Sequence, residues 1–154
     1  MMATDANPAV SVPTGRDWPL TPAQEADLAH RANQARQWAY APYSHYTVGA
    51  ALLTASGKIY DGVNVENTAY PSTICAERTA VVKAVSEGER DFVAIAVGSA
   101  NGGSPCGACR QVLAEFGLDT AVLLVDGAGT IRQRTTLREL LPHAFGPGAL
   151  EAGR

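Results

Sequence analysis

No stretch of the 154-residue chain approaches the roughly 18 consecutive apolar residues of a membrane-spanning helix. Runs of lysine or arginine are missing too. The basic residues are scattered and the net charge is −3, which argues against a nucleic-acid partner, because phosphate backbones are met by a basic face. The N-terminus lacks a charged segment leading into a short apolar one, the pattern of a secretory signal, so the cytoplasm is the expected compartment. Cysteine is scarce and odd in number, at three. With no export signal, that count disfavours a disulfide framework and favours metal binding or catalysis. Histidine is as scarce, and none of His30, His45 and His143 stands at ligand spacing from a cysteine. Internal repeats are absent.

What remains fits one domain with a sizeable core: 154 residues, 46% of them hydrophobic. Residues 1–20, with Pro8, Pro13 and Pro19 and few large apolar groups, read as a flexible leader ordered only from Trp18 onward, and residues 21–150 as the domain. Thr21-Pro22-Ala23-Gln24 is a helix start with a capping box, and Leu28, Ala32, Ala35 and Ala39 then mark one helical face, ending near Tyr40 ahead of Pro42. Val48–Thr54 and Lys58–Val65 read as an antiparallel hairpin about Ser56-Gly57. A helix is expected from Cys75 to about Glu87, a fully buried strand over Phe92–Val97, and a helix from Cys106 stopped by Gly117. A second buried strand over Ala121–Val125, an edge strand over Thr130–Thr135 and a short helix capped by Thr136 complete the order α-β-β-α-β-α-β-β-α. That alternation predicts an α/β fold, a mixed sheet covered by helices on both faces, with parallel strand-helix-strand connections.

The chemistry is concentrated in Cys75-Ala76-Glu77-Arg78 and Pro105-Cys106-Gly107-Ala108-Cys109-Arg110. Cys106 and Cys109 share one face of a first helical turn, and Cys75 also stands at a helix start. Two positive helix ends aimed at one point favour thiolates. Three thiolates hold Zn²⁺ and leave a fourth tetrahedral position open, as a catalytic zinc requires. Glu77, two residues from one ligand, is placed to move protons at that position. Arg78, one turn after Cys75, and Arg110, next to Cys109, are both able to donate to ligand sulfurs, and Arg78 is the choice for that role. Three cysteines with a nearby non-ligand glutamate and P-C-x-x-C are the pattern of zinc nucleobase deaminases.

From about Pro42 to Pro147 the chain resembles the small, homotetrameric cytidine deaminases of pyrimidine salvage. The matching phrases are Tyr43-Ser44-His45-Tyr46-Thr47-Val48-Gly49-Ala50-Ala51, Asn64-Val65-Glu66-Asn67, Cys75-Ala76-Glu77-Arg78-Thr79-Ala80, Pro105-Cys106-Gly107-Ala108-Cys109-Arg110-Gln111, Leu140-Leu141-Pro142 and Phe145-Gly146. The resemblance implies a three-layer α/β/α sandwich on a mixed five-stranded sheet, one Zn²⁺ per subunit on Cys75, Cys106 and Cys109, and Glu77 as proton shuttle. It implies hydrolytic attack at C4 of cytosine, protonation of ring N3 and loss of ammonia, from cytidine and 2′-deoxycytidine. Asn64 and Glu66 match the positions that hold the ribose hydroxyls, the amide of Ala76 the donor to the base O2, and the carbonyl of Ser104 the acceptor of the leaving amine. Phe145 matches an aromatic that reaches a neighbouring subunit's site. Tyr46 stands where the family usually has phenylalanine, so its ring is expected against base or sugar and its hydroxyl needs a partner. Three alternatives remain at this point: a deaminase of a cytosine-nucleoside antibiotic, a polynucleotide editor, and a non-enzymatic zinc module with a closed four-ligand site.

Overall fold

The computed structural model describes residues 18–154; most of the expected leader therefore lies outside the described residues. Trp18 and Leu20 belong to the packed body. Leu20 is buried, and the Trp18 indole donates to Glu25 Oε1 at 2.7 Å. The body thus begins earlier than the boundary at residue 21.

Helix α1 (Pro22–Ala35) opens on the expected capping box, with Thr21 and Gln24 exchanging side-chain and backbone bonds. It stops at Ala35 rather than near Tyr40, and Arg36–Trp38 continue as a 3₁₀ turn. The cause is tertiary. Tyr40 must be extended so that its N–H can donate to Asn64 O and its carbonyl can accept from Glu66 N–H. The other elements are β1 (Gly49–Thr54), β2 (Ile59–Val63), α2 (Ala76–Ser86), β3 (Phe92–Gly98), α3 (Gly107–Ala114), β4 (Ala121–Val125), β5 (Ile131–Thr136), α4 (Leu137–Leu140) and α5 (Pro147–Ala152). The last helix was not foreseen and runs past residue 150, the expected end of the domain.

The five strands form one mixed sheet in the order β2-β1-β3-β4-β5. Only β3 and β4 run parallel, joined through α3, while β2–β1, β1–β3 and β4–β5 are antiparallel. Period-two alternation divides the central strands between two cores. Ala50, Leu52, Ile95, Val97, Val122 and Leu124 face α2, α3 and α4. Ala51, Leu53, Ala94, Ala96, Ala121 and Leu123 face α1. The sheet is therefore covered on both sides, as the α/β pattern predicts.

Small residues set how closely α1 lies. A Cβ on Gly49 would fall 2.1 Å from Ala32 O, so α1 rests against the backbone of β1 itself. The same side carries a partly buried charge pair. Arg134 grips both carboxylate oxygens of Glu25, the shortest contact being 2.7 Å, and tethers α1 to β5. Arg134 as hydrogen-bond donor holds the Glu25 carboxyl below the ordinary carboxylate range, against the opposing effect of burial.

On the opposite face α2 presses on β2. Thr79 Oγ1 donates to Val63 O at 2.9 Å and Lys83 Nζ donates to Asp61 O. This contact fixes where α2 begins, and therefore where Cys75 stands.

Candidate metal centre and cavity

Cys75 and Cys106 are the N-cap residues of α2 and α3, each without a side-chain capping bond of its own. Extended backbone at both caps turns the side chains away from helical positions, and Cys109 follows one turn into α3. The two helix starts converge. Cys75 Sγ lies 3.9 Å from Cys106 Sγ, and Cys106 Sγ 3.5 Å from Cys109 Sγ. All three sulfurs fall within 4.8 Å of one another, and among the described residues no histidine or carboxylate joins the group. Tetrahedral zinc with Zn–S bonds of about 2.3 Å separates its sulfurs by about 3.8 Å. The donor set and spacing therefore fit zinc, with a fourth position left to a non-protein ligand.

The charges fit as well. The Cys75 thiol is pulled down to about 5, first by its hydrogen bond with Cys109 and then by Arg78, against burial. The two positive helix ends were expected to lower the thiols, yet Cys109, one turn into α3, is pushed up. The bond to Cys75 is the largest cause, followed by burial and the charge of Glu77. One thiolate in a cluster disfavours a second, so holding all three as thiolates needs a divalent cation beside them. Arg78 Nη2 donates to Cys75 Sγ at 3.5 Å and to Thr73 O at 3.2 Å. Its Nε is buried without a hydrogen-bond partner, and the contact of Nη2 with Cys75 Sγ sets the guanidinium charge beside that sulfur. Arg110, the other candidate, is used elsewhere: it donates to Pro105 O, Leu140 O and Ser104 Oγ, pinning the loop before α3 to α4.

Cys75 and Cys106 open onto a cavity of about 290 Å³, while Cys109 lies buried behind them. Cys75, Ala76, Glu77, Cys106 and Ser104 line its metal side, and Tyr46, Asn64 and Glu66 the other. Glu77 is 4% exposed. Burial is the main reason its carboxyl sits above the ordinary range, with the charge on Cys75 acting in the same direction. Asn64 is also buried. Its Nδ2 donates to Tyr46 O at 2.9 Å and its Oδ1 accepts from Val48 N–H at 2.8 Å. Glu66 accepts from the N–H of Tyr43 at 2.8 Å and from the N–H and hydroxyl of Ser44. The Ser44 hydroxyl is the main cause that keeps its carboxyl below the ordinary range. One N–H and one lone pair of Asn64, and further lone pairs of Glu66, stay open to a ligand.

Phe145 does not line this cavity. It is 63% exposed, and its carbonyl accepts from Gln111 Nε2 at 2.8 Å. Residues 43–48 form a strap along one side of the cavity and residues 99–104 a loop along the other. Ser44, Val48, Thr73, Val97, Ser99 and Gly103 also line it and were not singled out from sequence. The signal for Ser44 lay inside the phrase Tyr43-Ser44-His45-Tyr46; Ser99 and Gly103 were legible only as part of a polar loop.

The chain has clear relatives. A family model described as the cytidine and deoxycytidylate deaminase zinc-binding region matches residues 22–125. A cytidine deaminase of Sporosarcina psychrophila is 53% identical over 121 residues, covering 77% of this chain and 88% of that protein. A probable cytidine deaminase of Dictyostelium discoideum is 50% identical over 117 residues, covering 74% of this chain and 78% of that protein. Among solved structures, cytidine deaminase from Burkholderia pseudomallei is 46% identical and superposes with a TM-score of 0.74, covering 82% of this chain and all of that one. The Mycobacterium tuberculosis enzyme of the same name is 37% identical with a TM-score of 0.70, covering 86% of this chain and 99% of that one.

Proposed function

The chain belongs to the cytidine deaminase family, hydrolases with a zinc site, and on that premise we propose the roles of its residues, its substrate range and its assembly. Zinc on Cys75, Cys106 and Cys109, when bound, acts as a Lewis acid that makes water nucleophilic at neutral pH. Glu77 takes one proton from the attacking water and delivers it to N3 of the cytosine ring. It then takes the second from the hydroxyl now on C4 and delivers it to the amine, which leaves as ammonia as the C4–N bond breaks. The amide of Ala76, at an uncapped helix start, donates to the base O2. The carbonyl of Ser104 accepts from the leaving ammonia. Asn64 and Glu66 hold the sugar hydroxyls, and the ring of Tyr46 packs against the nucleoside. Arg78 tempers the negative charge of the three sulfurs.

A single observation supports this reading above others: Glu77, two zinc-binding thiols, Asn64 and Glu66 line one cavity. Substrates are cytidine and 2′-deoxycytidine, and the setting is pyrimidine salvage in the cytoplasm by one catalytic domain. A ligand without a sugar would leave buried Asn64 with an unmet donor and acceptor, which disfavours bare amines. Zinc-loaded protein is expected to convert cytidine to uridine, read as loss of cytidine absorbance with release of ammonia. Failure of that conversion with stoichiometric zinc present would return the chain to a non-enzymatic zinc module.

The assembly proposed is a homotetramer in which Phe145 of each subunit reaches a neighbour's cavity. Tyr40, Val65 and Ile74 are joined by short β-bridges and all are exposed, as are Trp38, Tyr70 and Phe145. That much exposed aromatic and aliphatic surface suits an interface. Light scattering is expected to return four times the chain mass, and Phe145→Ala to raise the KM for cytidine while leaving that mass unchanged. A monomer that turns over cytidine at the same KM with or without the Phe145 ring would remove the shared-site assignment.

A further inference from the structure

We propose that Tyr46 and Asn101 form a latch across the cavity that fixes the sugar-holding strap relative to the loop leading into Cys106, and that Gly103 is the space the latch requires. The inference rests on the cavity being the nucleoside site.

The strap 43–48 is secured from below by Asn64, Glu66 and Arg36. Asn64 and Glu66 hold it through the contacts given above, and Arg36 Nε donates to Thr47 O at 3.2 Å. The loop 99–104 is secured from the sheet side. Ser99 N–H donates to Val125 O at 3.0 Å, and Gly127 N–H to Ala100 O at 3.2 Å. Each wall is thus anchored in a different part of the fold. Tyr46 spans the gap, its hydroxyl donating to Asn101 Oδ1 at 2.7 Å. A chain of bonds continues into the loop. Ser99 Oγ also reaches Asn101 Oδ1, at 3.3 Å, and the N–H of Gly103 donates to Ser99 Oγ at 2.8 Å. Both lone pairs of Asn101 Oδ1 are then used. This accounts for the hydroxyl that Tyr46 carries.

Gly103 explains itself in the same geometry. A Cβ there would lie 2.7 Å from the Tyr46 phenol oxygen, its nearest neighbour, while Asn101 Oδ1 and Ser99 Oγ would stay in ordinary contact at 3.5 and 3.6 Å. A methyl at 103 therefore displaces the hydroxyl and little else. Asn101 touches no proposed substrate contact except through Tyr46, so it is a positioning residue, and its effect falls on how well the sugar side is held.

Tyr46→Phe and Asn101→Ala are each expected to raise the KM for cytidine about threefold to tenfold, the usual worth of one hydrogen bond. Their kcat should change far less, because binding is lost equally from ground and transition states. Zinc per chain should not change. The double variant should be no worse than either single one. Gly103→Ala should reproduce the KM of Tyr46→Phe, yet add nothing when built into Tyr46→Phe, where no hydroxyl remains to displace. Hydrogen exchange of peptides spanning 43–48 and 99–104 should speed up together in Tyr46→Phe and in Asn101→Ala. Additive KM effects, a Gly103→Ala penalty that persists without the hydroxyl, or exchange that changes in neither segment would overturn the latch. Wild-type protein inert toward cytidine would sink the assigned reaction, and the exchange measurement would still decide the latch.

Discussion

Glu77→Gln and Glu77→Ala are expected to keep zinc bound and to lower kcat for cytidine by about a hundredfold to ten-thousandfold, the range for a positioned acid–base group. Glu77 stands in the first turn of α2, two residues after the first thiol, and lines the cavity without joining the sulfur cluster. Two opposed influences act on its carboxyl. Burial and the charge of Cys75 hold it toward the protonated form, while a bound divalent cation pulls it toward the carboxylate. A group balanced in this way is able both to take and to give a proton. Glutamine keeps the shape and much of the hydrogen bonding of the buried side chain but carries no transferable proton, so Glu77→Gln should fold normally. Zinc per chain and kcat, measured on the same preparation, decide the point. A variant with full zinc and near-wild-type kcat would refute the shuttle. Loss of zinc together with rate would make Glu77 part of the metal's hold instead.

Much of the site was legible because it is written in short local phrases. Cys75 and Cys106 with Cys109 sit at helix starts, where N-cap geometry is dictated by neighbouring residues, so their convergence needed only that two helices begin near each other. The caps at Thr21 and Thr136 were readable for the same reason: each is a box closed within four residues. The end of α1 was not, because pairing of Tyr40 with Asn64 and Glu66, more than twenty residues away, overrides the local helical pattern. Helix α5 was also missed; Pro147, where the resemblance ends, is its first residue. The partner of the Tyr46 hydroxyl could not be read either. Asn101 is 55 residues further along the chain, in a loop whose path is set by its pairing with the β4–β5 turn. For Glu66 and Asn64, sequence phrases pointed to sugar binding, but the structure adds that both also hold the strap, which no spacing rule conveys.

Gly62 carries the closest link between the fold and the metal. It lies in β2 beneath the first turns of α2, and a Cβ there would fall 2.4 Å from Ala76 O and 2.5 Å from Ala80 N. Both neighbours are backbone, so no side chain can rotate away, and α2 must retreat by at least about 0.6 Å to restore even 3.0 Å. Overpacking of this kind costs about 3 kcal/mol, or about 10 °C in Tm. The displaced turn is the one that holds Cys75, Ala76 and Glu77. Metal–ligand distances tolerate only about 0.2 Å, so the same shift takes Cys75 out of register with Cys106 and Cys109. Gly62→Ala is therefore expected to lose stability, to weaken zinc binding at least about tenfold and to lower turnover in step. Gly57→Ala is the matched control. It sits at the tip of the β1–β2 hairpin with φ of +87° and no atom within 4 Å of the added methyl. Its penalty of about 1 kcal/mol arises from backbone strain alone, and zinc affinity should be untouched. Thermal melts and competition with a chromophoric chelator separate the two effects. A Gly62→Ala protein that is destabilised yet holds zinc as tightly as wild type would show that the two thiols of α3, and not the seating of α2 on β2, set the geometry of the site.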